Sequence, residues 1–429
     1  MEKDLIKKIT VDKTSLSTLE KIILGLILVL ANLRALIFIF LFPDTSKPLG
    51  PAWIEIVLWG LTCAGVLFYL VRNQQMGDFK AMWRQNWLPA LFILLAFLSI
   101  LWSVAPVATS FRVLELFFVT LTASYFGVRL NSEKMMQVLF WFGVVLYIIS
   151  IALVYYAPPT GTMYWAPFNG AWRGVYWHRN HLASIAAFLS IVYLSRFLLS
   201  FQKKNMNGIL DAVFYILSLV ILYFAKSATG YIVFLVLNFS VLVILLWLWL
   251  YPRLQRKHYL MILAAGLVVA ILAVLNLDIL FALFHRDTTL TGRVILWSHL
   301  LEIASQRFWL GHGFGAVWML DPFREQVRLL VGWASQPLIG DNGFIDIYLH
   351  LGIVGLVLFL GVLVSFAIRA IRYALAQKTL TGFFPVLVVI YAVFANISFS
   401  LFAETEVFVW FLIVSALFMT TPAPKPTIK

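Results

Sequence analysis

The sequence predicts an all-α, polytopic integral membrane protein of about twelve transmembrane helices with one large outer loop. Three observations predict it. Of the 429 residues, 62% are hydrophobic and only 12% are charged, against roughly 45–50% apolar and about 25% charged in soluble domains. The apolar residues fall in runs close to the ~20 a helix needs to cross ~30 Å of hydrocarbon. The basic residues sort by side between those runs, as the positive-inside rule demands. A single soluble core stops growing near ~250–300 residues. A soluble enzyme, a disordered regulator and a disulfide scaffold are therefore excluded. The one cysteine, Cys63, lies in an apolar run and can form no intrachain disulfide.

Taken in order, the expected spans are 22–42, 52–71, 88–104, 111–128, 137–157, 181–201, 211–225, 230–251, 259–277, 344–368, 383–402 and 407–420. Residues 1–21 are polar and mixed in charge, and the first apolar run is too long for a cleavable signal core. Residues 1–277 hold nine spans with short connections, 278–343 form the outer loop, and 344–429 hold the last three spans and a tail. With the N-terminus cytoplasmic, 21 of the 32 Lys and Arg fall in cytoplasmic segments, at least two in each loop. Both termini are then cytoplasmic. The net charge of +13 would otherwise suggest a nucleic-acid partner. Topology accounts for most of it, so no nucleic acid is expected.

The remaining basic residues are Arg34, Lys47, Arg112, Arg173, Arg179, Lys226, Arg286, Arg293, Arg307, Arg324 and Arg328. All but Arg34 fall on or near the outer side, where something anionic would account for them. Residues 158–180 are rich in Gly, Pro and Trp. The loop of about 66 residues at 278–343 is far beyond the ~12–15 residues of an ordinary connection. Within it, Val294, Trp297, Leu300, Leu301, Ala304 and Phe308 recur at helical spacing. That predicts an amphipathic helix over 293–309, lying on the outer surface or capping the bundle.

Four clusters carry chemistry. In LSILWSVAPVATSFRVLEL (98–116), Arg112 and Glu115 are three residues apart and can pair on one helix face. In GAWRGVYWHRNHLASIAAF (170–188), Arg173, His178, Arg179, Asn180 and His181 crowd the start of a span. A helix beginning there would point free N–H groups and its positive end at an anion, and guanidinium groups grip phosphate bidentately. Snorkelling of interfacial Arg and Trp is the plainer explanation. No set of Cys, Asp or His completes a metal site around His178 and His181.

In RDTTLTGRVILWSHLLEIASQRFWLGHGFGAVW (286–318), Thr288 or Thr291 could cap the helix carrying Arg293. A cation in the first turn opposes the helix dipole, so Arg293 suits an external anion better than helix stability. His312, between two glycines, reads as structural or rim-lining. In GDNGFIDIYLHLGIVGL (340–356), Asp341 can be a base or a helix cap, and Asn342 follows it. Asp346 and His350 share a face one turn into a span, where a carboxylate is costly without a partner. Glu404 and Glu406 follow NISFSLFA in an outer loop and could pair with the outer arginines.

These four stretches, in this order around one large loop, resemble the O-antigen ligase/polymerase superfamily of bacterial envelope glycan enzymes. Within it they are most similar to exopolysaccharide repeat-unit polymerases. The likeness spans roughly residues 98–356, and each motif alone is weak. It implies transfer of an undecaprenyl-pyrophosphate-linked glycan to an acceptor sugar hydroxyl, in the bacterial inner membrane and on its outer face. The implied partners are the lipid-linked donor, a glycan acceptor and membrane lipid. The implied reaction needs no metal or other cofactor.

Residue by residue, Arg173 in WRG and Arg293 in TGR match the family's pyrophosphate-binding arginines, and Arg179 matches a usually basic position. The departure is Asp341, which stands where the family usually has the proposed catalytic His. A carboxylate is a weaker base than imidazole, and Asp346 is the other carboxylate that could serve. Arg112, His178, Asn180, His181, His312, Asn342 and Glu404 are expected to support the site. Trp165, Trp172, Trp177, Trp318 and Trp333 could stack on sugar faces or anchor at the interface. A ligase joining finished glycan to lipid A core or another acceptor differs from a polymerase only in that acceptor. A transporter or flippase of an anionic lipid-linked substrate would want arginines facing both sides.

Overall fold

The computed structural model describes residues 16–32, 52–164, 168–202, 208–252, 292–332, 339–397, 399–400 and 407–422. Among them the fold is all-α, with one isolated bridge between Thr162 and Trp172. The first nine helices are α1 (Thr18–Asn32), α2 (Ala52–Arg72), α3 (Met76–Gln85), α4 (Trp87–Leu98), α5 (Pro106–Arg129), α6 (Ser132–Tyr156), α7 (Arg179–Gln202), α8 (Gly208–Ala225) and α9 (Ala228–Leu250). Then follow α10 (Arg293–Gln306), α11 (Asp321–Val331), α12 (Gly343–Gln377), α13 (Phe384–Ile397) and α14 (Val407–Met419).

Local chemistry sets the helix starts. Ser17 and Glu20 form a reciprocal capping box at α1: Ser17 Oγ accepts from Glu20 N and Glu20 Oε2 accepts from Ser17 N. Asn131 caps α6 and Ser227 caps α9, and Pro106 opens α5, where its missing N–H costs nothing.

Among the described helices, seven are long and apolar enough to cross a membrane, or eight if α3 and α4 form one span bent by 85°. Twelve spans were expected, and the shortfall has three sources. The span at 259–277 and the second half of 22–42 lie outside the described residues. Helices α13 and α14 are apolar but too short by length alone. The span expected at 88–104 is α4 with a 3-10 turn running to Trp102, and it is long enough to cross only together with the short amphipathic helix α3, which precedes it across the bend at Asn86. Helix α3 buries Phe79 and Met82 and leaves Lys80 and Arg84 outside.

Helix α7 is the axis of one half of the bundle. It packs against α6, α8 and α9, and every side chain from Leu182 to Tyr193 is buried. A helix apolar all round must be enclosed. In the other half α5 packs against α2 and α14, and α12 against α4 and α13. Apolar side chains of α8 and α9, including Ile216, Leu235, Phe239 and Leu246, face outward, as they do where the surrounding solvent is lipid. Among the described residues, three ion pairs lie within the bundle. Arg112 pairs with Glu115 at 3.3 Å, Arg129 with Glu20 at 2.7 Å, and Arg196 with Asp211 at 2.8 Å.

One span is broken. Helix α12 reverses its backbone at Gly352 (φ 64°, ψ −167°), and the freed groups are met by the segment after α10. Phe308 O accepts from Ile353 N at 2.8 Å and Trp309 O from Val354 N at 3.3 Å. On the other side of the break, Leu349 O accepts from His312 N at 3.1 Å and His350 O from Gly313 N at 2.9 Å. Irregular backbone at membrane depth persists only where protein satisfies it in this way.

A Cβ at Gly352 would lie 2.3 Å from the Trp309 carbonyl, on a backbone L-residues avoid. Gly352→Ala therefore costs more than the ~1–3 kcal/mol of the strained dihedral alone. It should lower the denaturation temperature in detergent by several degrees. Gly25→Ala in α1, where a Cβ meets nothing within 4 Å, should not.

Candidate functional site

The break in α12 gathers the four sequence clusters at one end of the bundle. The segment 307–316 is pinned to the first of them. Arg307 Nη1 donates to Trp102 O and Trp102 Nε1 to Leu310 O, both at 2.9 Å. Val104 N donates to His312 O at 2.9 Å and Phe314 N to Ser99 Oγ at 3.1 Å. Arg112 forms the expected pair with Glu115 and lies under Gly315, where a Cβ would come within 2.8 Å of Arg112 Cγ. His312 is structural: its Nδ1 donates to Leu349 O at 3.2 Å.

The fourth cluster is built around Asp346. Its carboxylate is fully buried. Oδ1 accepts from Trp318 Nε1 at 3.0 Å, and Oδ2 from Gly340 N at 3.0 Å and from Ser400 Oγ. Trp297 Nε1 donates to Gly340 O at 3.0 Å. Both faces of the Gly340 peptide are thus fixed immediately before Asp341. The cap of α12 is Asn342, whose Oδ1 accepts from Phe344 N at 3.0 Å and Ile345 N at 3.2 Å. Asp341 is therefore not the cap. It takes a left-handed conformation (φ 53°), which Asp tolerates better than most residues. Its Oδ2 accepts from Arg293 Nε at 2.9 Å.

Arg293 is the first residue of α10, after Gly292 at φ 87°, which has no side chain to cap with. Thr288 and Thr291 lie outside the described residues. Helix α10 ends at Gln306, and its buried stripe is Leu296, Leu300 and Ala304 with Trp297 partly covered. This corrects the expected stripe. Val294 and Leu301 are exposed, because α10 packs on both α11 and α12 through its other face, and Phe308, exposed beyond the end of α10, sets its ring edge-on to Tyr348 of α12.

The second cluster supplies the other arginines. Arg173 is buried and donates to three main-chain carbonyls: Thr160 O at 2.8 Å, Pro159 O at 3.0 Å and Trp177 O at 3.2 Å. Arg179 opens α7. Its Nη1 donates to Ala225 O at 3.3 Å and to Lys226 O, in the turn between α8 and α9, and its guanidinium lies 3.9 Å from the centre of the Phe168 ring. Asn180 Oδ1 accepts from Ser227 Oγ at 2.8 Å in the same turn. His178 stacks on Phe399 (14° between planes), and His181 meets the edge of that ring at 4.2 Å. Burial holds the His178 imidazole well below its ordinary pKa. His181, Arg179, Arg293 and Arg173 add to the shift in that order. Three arginines from two distant segments therefore act on one imidazole.

Several basic residues expected to await an anion are matched within the protein. Arg324 pairs with Asp321, Arg328 with Glu325, and Arg307 with a carbonyl. Of the five tryptophans, Trp165 and Trp333 lie outside the described residues, as does Glu404. Trp318 is fully buried on Asp346, and Trp172 is stacked on Phe224 at 4.5 Å. Only Trp177, among those described, keeps partial exposure. Phe399 and Ser400 join the second and fourth clusters, and sequence reasoning missed them. The one signal was the pair of serines flanking a phenylalanine in NISFS, at the end of an apolar run. Among the described residues no group of three or more His, Cys, Asp or Glu is placed to hold a metal ion.

These features define a class: an α-helical integral membrane protein with a cation-rich site at one end of its bundle, beside a broken span. The family model of the O-antigen ligases matches residues 213–360, which include Arg293, Asp341 and the first part of α12 with its break. The exopolysaccharide production protein ExoQ of Rhizobium meliloti (strain 1021) is 33% identical over 100 residues, 23% of each chain. Both likenesses point to the O-antigen ligase/polymerase superfamily. The match spans only about a quarter of the curated relative's length.

Removing the Asp346 carboxylate should be severe. Asp346→Ala leaves buried donors of Trp318 and Gly340 without an acceptor, at about 1–3 kcal/mol each. Thermal denaturation in detergent should register the loss. Asp346→Asn, which keeps one acceptor oxygen, should fall between that variant and the unchanged protein.

Proposed function

We propose that the protein is a membrane glycosyltransferase of bacterial polysaccharide biosynthesis. It moves a glycan from an undecaprenyl-pyrophosphate carrier to an acceptor sugar hydroxyl on the outer face of the inner membrane, and it polymerises exopolysaccharide or O-antigen repeat units. The observation that supports this reading most is the gathering of Arg173, Arg179 and Arg293 about His178, with Asp341 held at Arg293. The sorting of Lys and Arg between segments supports an outward-facing site and cytoplasmic termini.

The chemistry follows from charge. A glycosyl pyrophosphate is already activated. As the acceptor oxygen bonds to the anomeric carbon, the bond from that carbon to the phosphate oxygen breaks, and its electron pair stays on the leaving undecaprenyl pyrophosphate. Negative charge therefore grows where the guanidinium groups sit, and preorganised donors there lower the barrier. The hydroxyl proton passes to Asp341, the carboxylate nearest the arginines. Asp346 is fully engaged by Trp318, Gly340 and Ser400, so its part is to position Asp341 through the Gly340 peptide. A single displacement inverts the anomeric centre. Pyrophosphate oxygens compete with Asp341 for Arg293, so donor binding itself frees the base.

Arg293→Ala, produced at normal abundance in cells lacking the wild-type gene, should cut polymeric glycan by about 10²–10³-fold, the loss expected of one such donor. Arg173→Ala should do the same, with Arg173→Lys separating charge from bracing. Full polymer in Arg293→Ala overturns the clamp, and full polymer in Asp341→Asn moves the base elsewhere. With purified protein and lipid-linked donor, a ladder of repeat numbers marks a polymerase. One fixed addition to a separate acceptor marks a ligase.

A further inference from the structure

His178 lies within electrostatic reach of Arg173, Arg179 and Arg293, and its ring has a fixed polarity. Its Nδ1 accepts the backbone N–H of Asn180 at 3.2 Å, at the start of α7. A ring nitrogen that accepts carries no proton, so the neutral ring bears its proton on Nε2. Phe399 stacks on one face, and Phe168 meets it at 86°. The side chain is only partly buried, and among the described residues Nε2 has no hydrogen-bond partner.

We propose that His178 is a neutral hydrogen-bond donor to the anion held by the arginines, its Nε2–H directed at a pyrophosphate oxygen of the donor substrate. It is a binding group and neither a base nor a proton shuttle. This rests on the reading of the arginines as a pyrophosphate clamp. A base would need a lone pair on Nε2, and that requires the proton to move to Nδ1, which faces another N–H.

The charged and titratable groups around the ring keep it single-protonated. Arg179 and His181 lie on α7, Arg173 on the segment before it, and Arg293 on α10, and each disfavours a second proton. Asp341 is the carboxylate of this group, and Arg293 already holds it. A neutral donor adds direction to the clamp without another charge to desolvate. Pyrophosphate needs several donors at defined angles, and guanidinium groups tied to main-chain carbonyls, as Arg173 is, have few N–H bonds left to aim.

The test uses the full chain in detergent micelles, with inorganic pyrophosphate as the probe. His178→Phe keeps the ring and removes the donor, and should weaken pyrophosphate binding about ten- to a hundredfold, the value of a hydrogen bond to a charged group. His178→Gln carries an N–H at similar reach and should restore most of it. The transfer rate from the lipid-linked donor should keep the same pH profile between pH 6 and 8 in wild type and His178→Gln.

Selective 15N-histidine spectra of the unchanged protein should give an unprotonated Nδ1 and a protonated Nε2, for the signal that vanishes in His178→Gln. That measurement does not depend on the variants' activity. Unaltered binding in a folded His178→Phe overturns the proposal. So does a lost limb of the pH profile in His178→Gln, or a protonated Nδ1. If Arg293→Ala also binds pyrophosphate normally, the clamp itself fails. If Arg293→Ala loses binding and His178→Phe does not, only the role of His178 fails.

Discussion

Backbone satisfaction at the break in α12 is the constraint on which the rest of the site depends. A membrane interior offers no water to an orphaned carbonyl or N–H. Once Gly352 leaves the helical conformation, Leu349, His350, Ile353 and Val354 need partners, and the residues from Phe308 to Gly313 provide them. That pairing fixes the segment after α10 against the first half of α12. Trp102 and Ser99 then lock the same segment to the end of α4. The elements carrying Arg293 and Asp341 thus approach each other because a main-chain requirement leaves them little freedom.

A second layer of hydrogen bonds turns this placement into a site. Asp346 draws together Trp318, Gly340 and Ser400, which come from three different segments. Such a network is worth more than the sum of its pairs taken singly. The neighbour of Ser400, Phe399, reaches the two histidines at the start of α7. At this end of the bundle these two adjacent residues link the half built on α7 to the half built on α12, alongside the packing of α7 and α9 on α13.

Much of this was legible in the sequence, and the exceptions have physical causes. The all-α membrane fold follows from composition and run length. Arg112 and Glu115 sit at pairing distance in the sequence and pair in the structure, because three residues bring side chains to one helix face. The role of Asp341 was misjudged as a possible cap because capping depends on φ and ψ. Asn342 has the extended backbone that a cap needs, and Asp341 has the left-handed one. The stripe of α10 was misread because its apolar residues surround the helix, so periodicity alone cannot choose the buried side. Nothing in GIVGL distinguishes a glycine that breaks a span from one that lies within it. The partners of the break are about 40 residues away in the chain.

The acceptors of Arg173 carry one more implication. Its guanidinium donates to three carbonyls, which are dipoles with no net charge. Those bonds hold the group rigid and offset the loss of water, yet they leave its net charge uncancelled. A carboxylate in the same place would have fixed the arginine equally well and silenced it. The protein thus anchors this cation with neutral groups and leaves its potential projecting into the site, so attraction for an approaching anion should weaken with added salt while the loop geometry does not change.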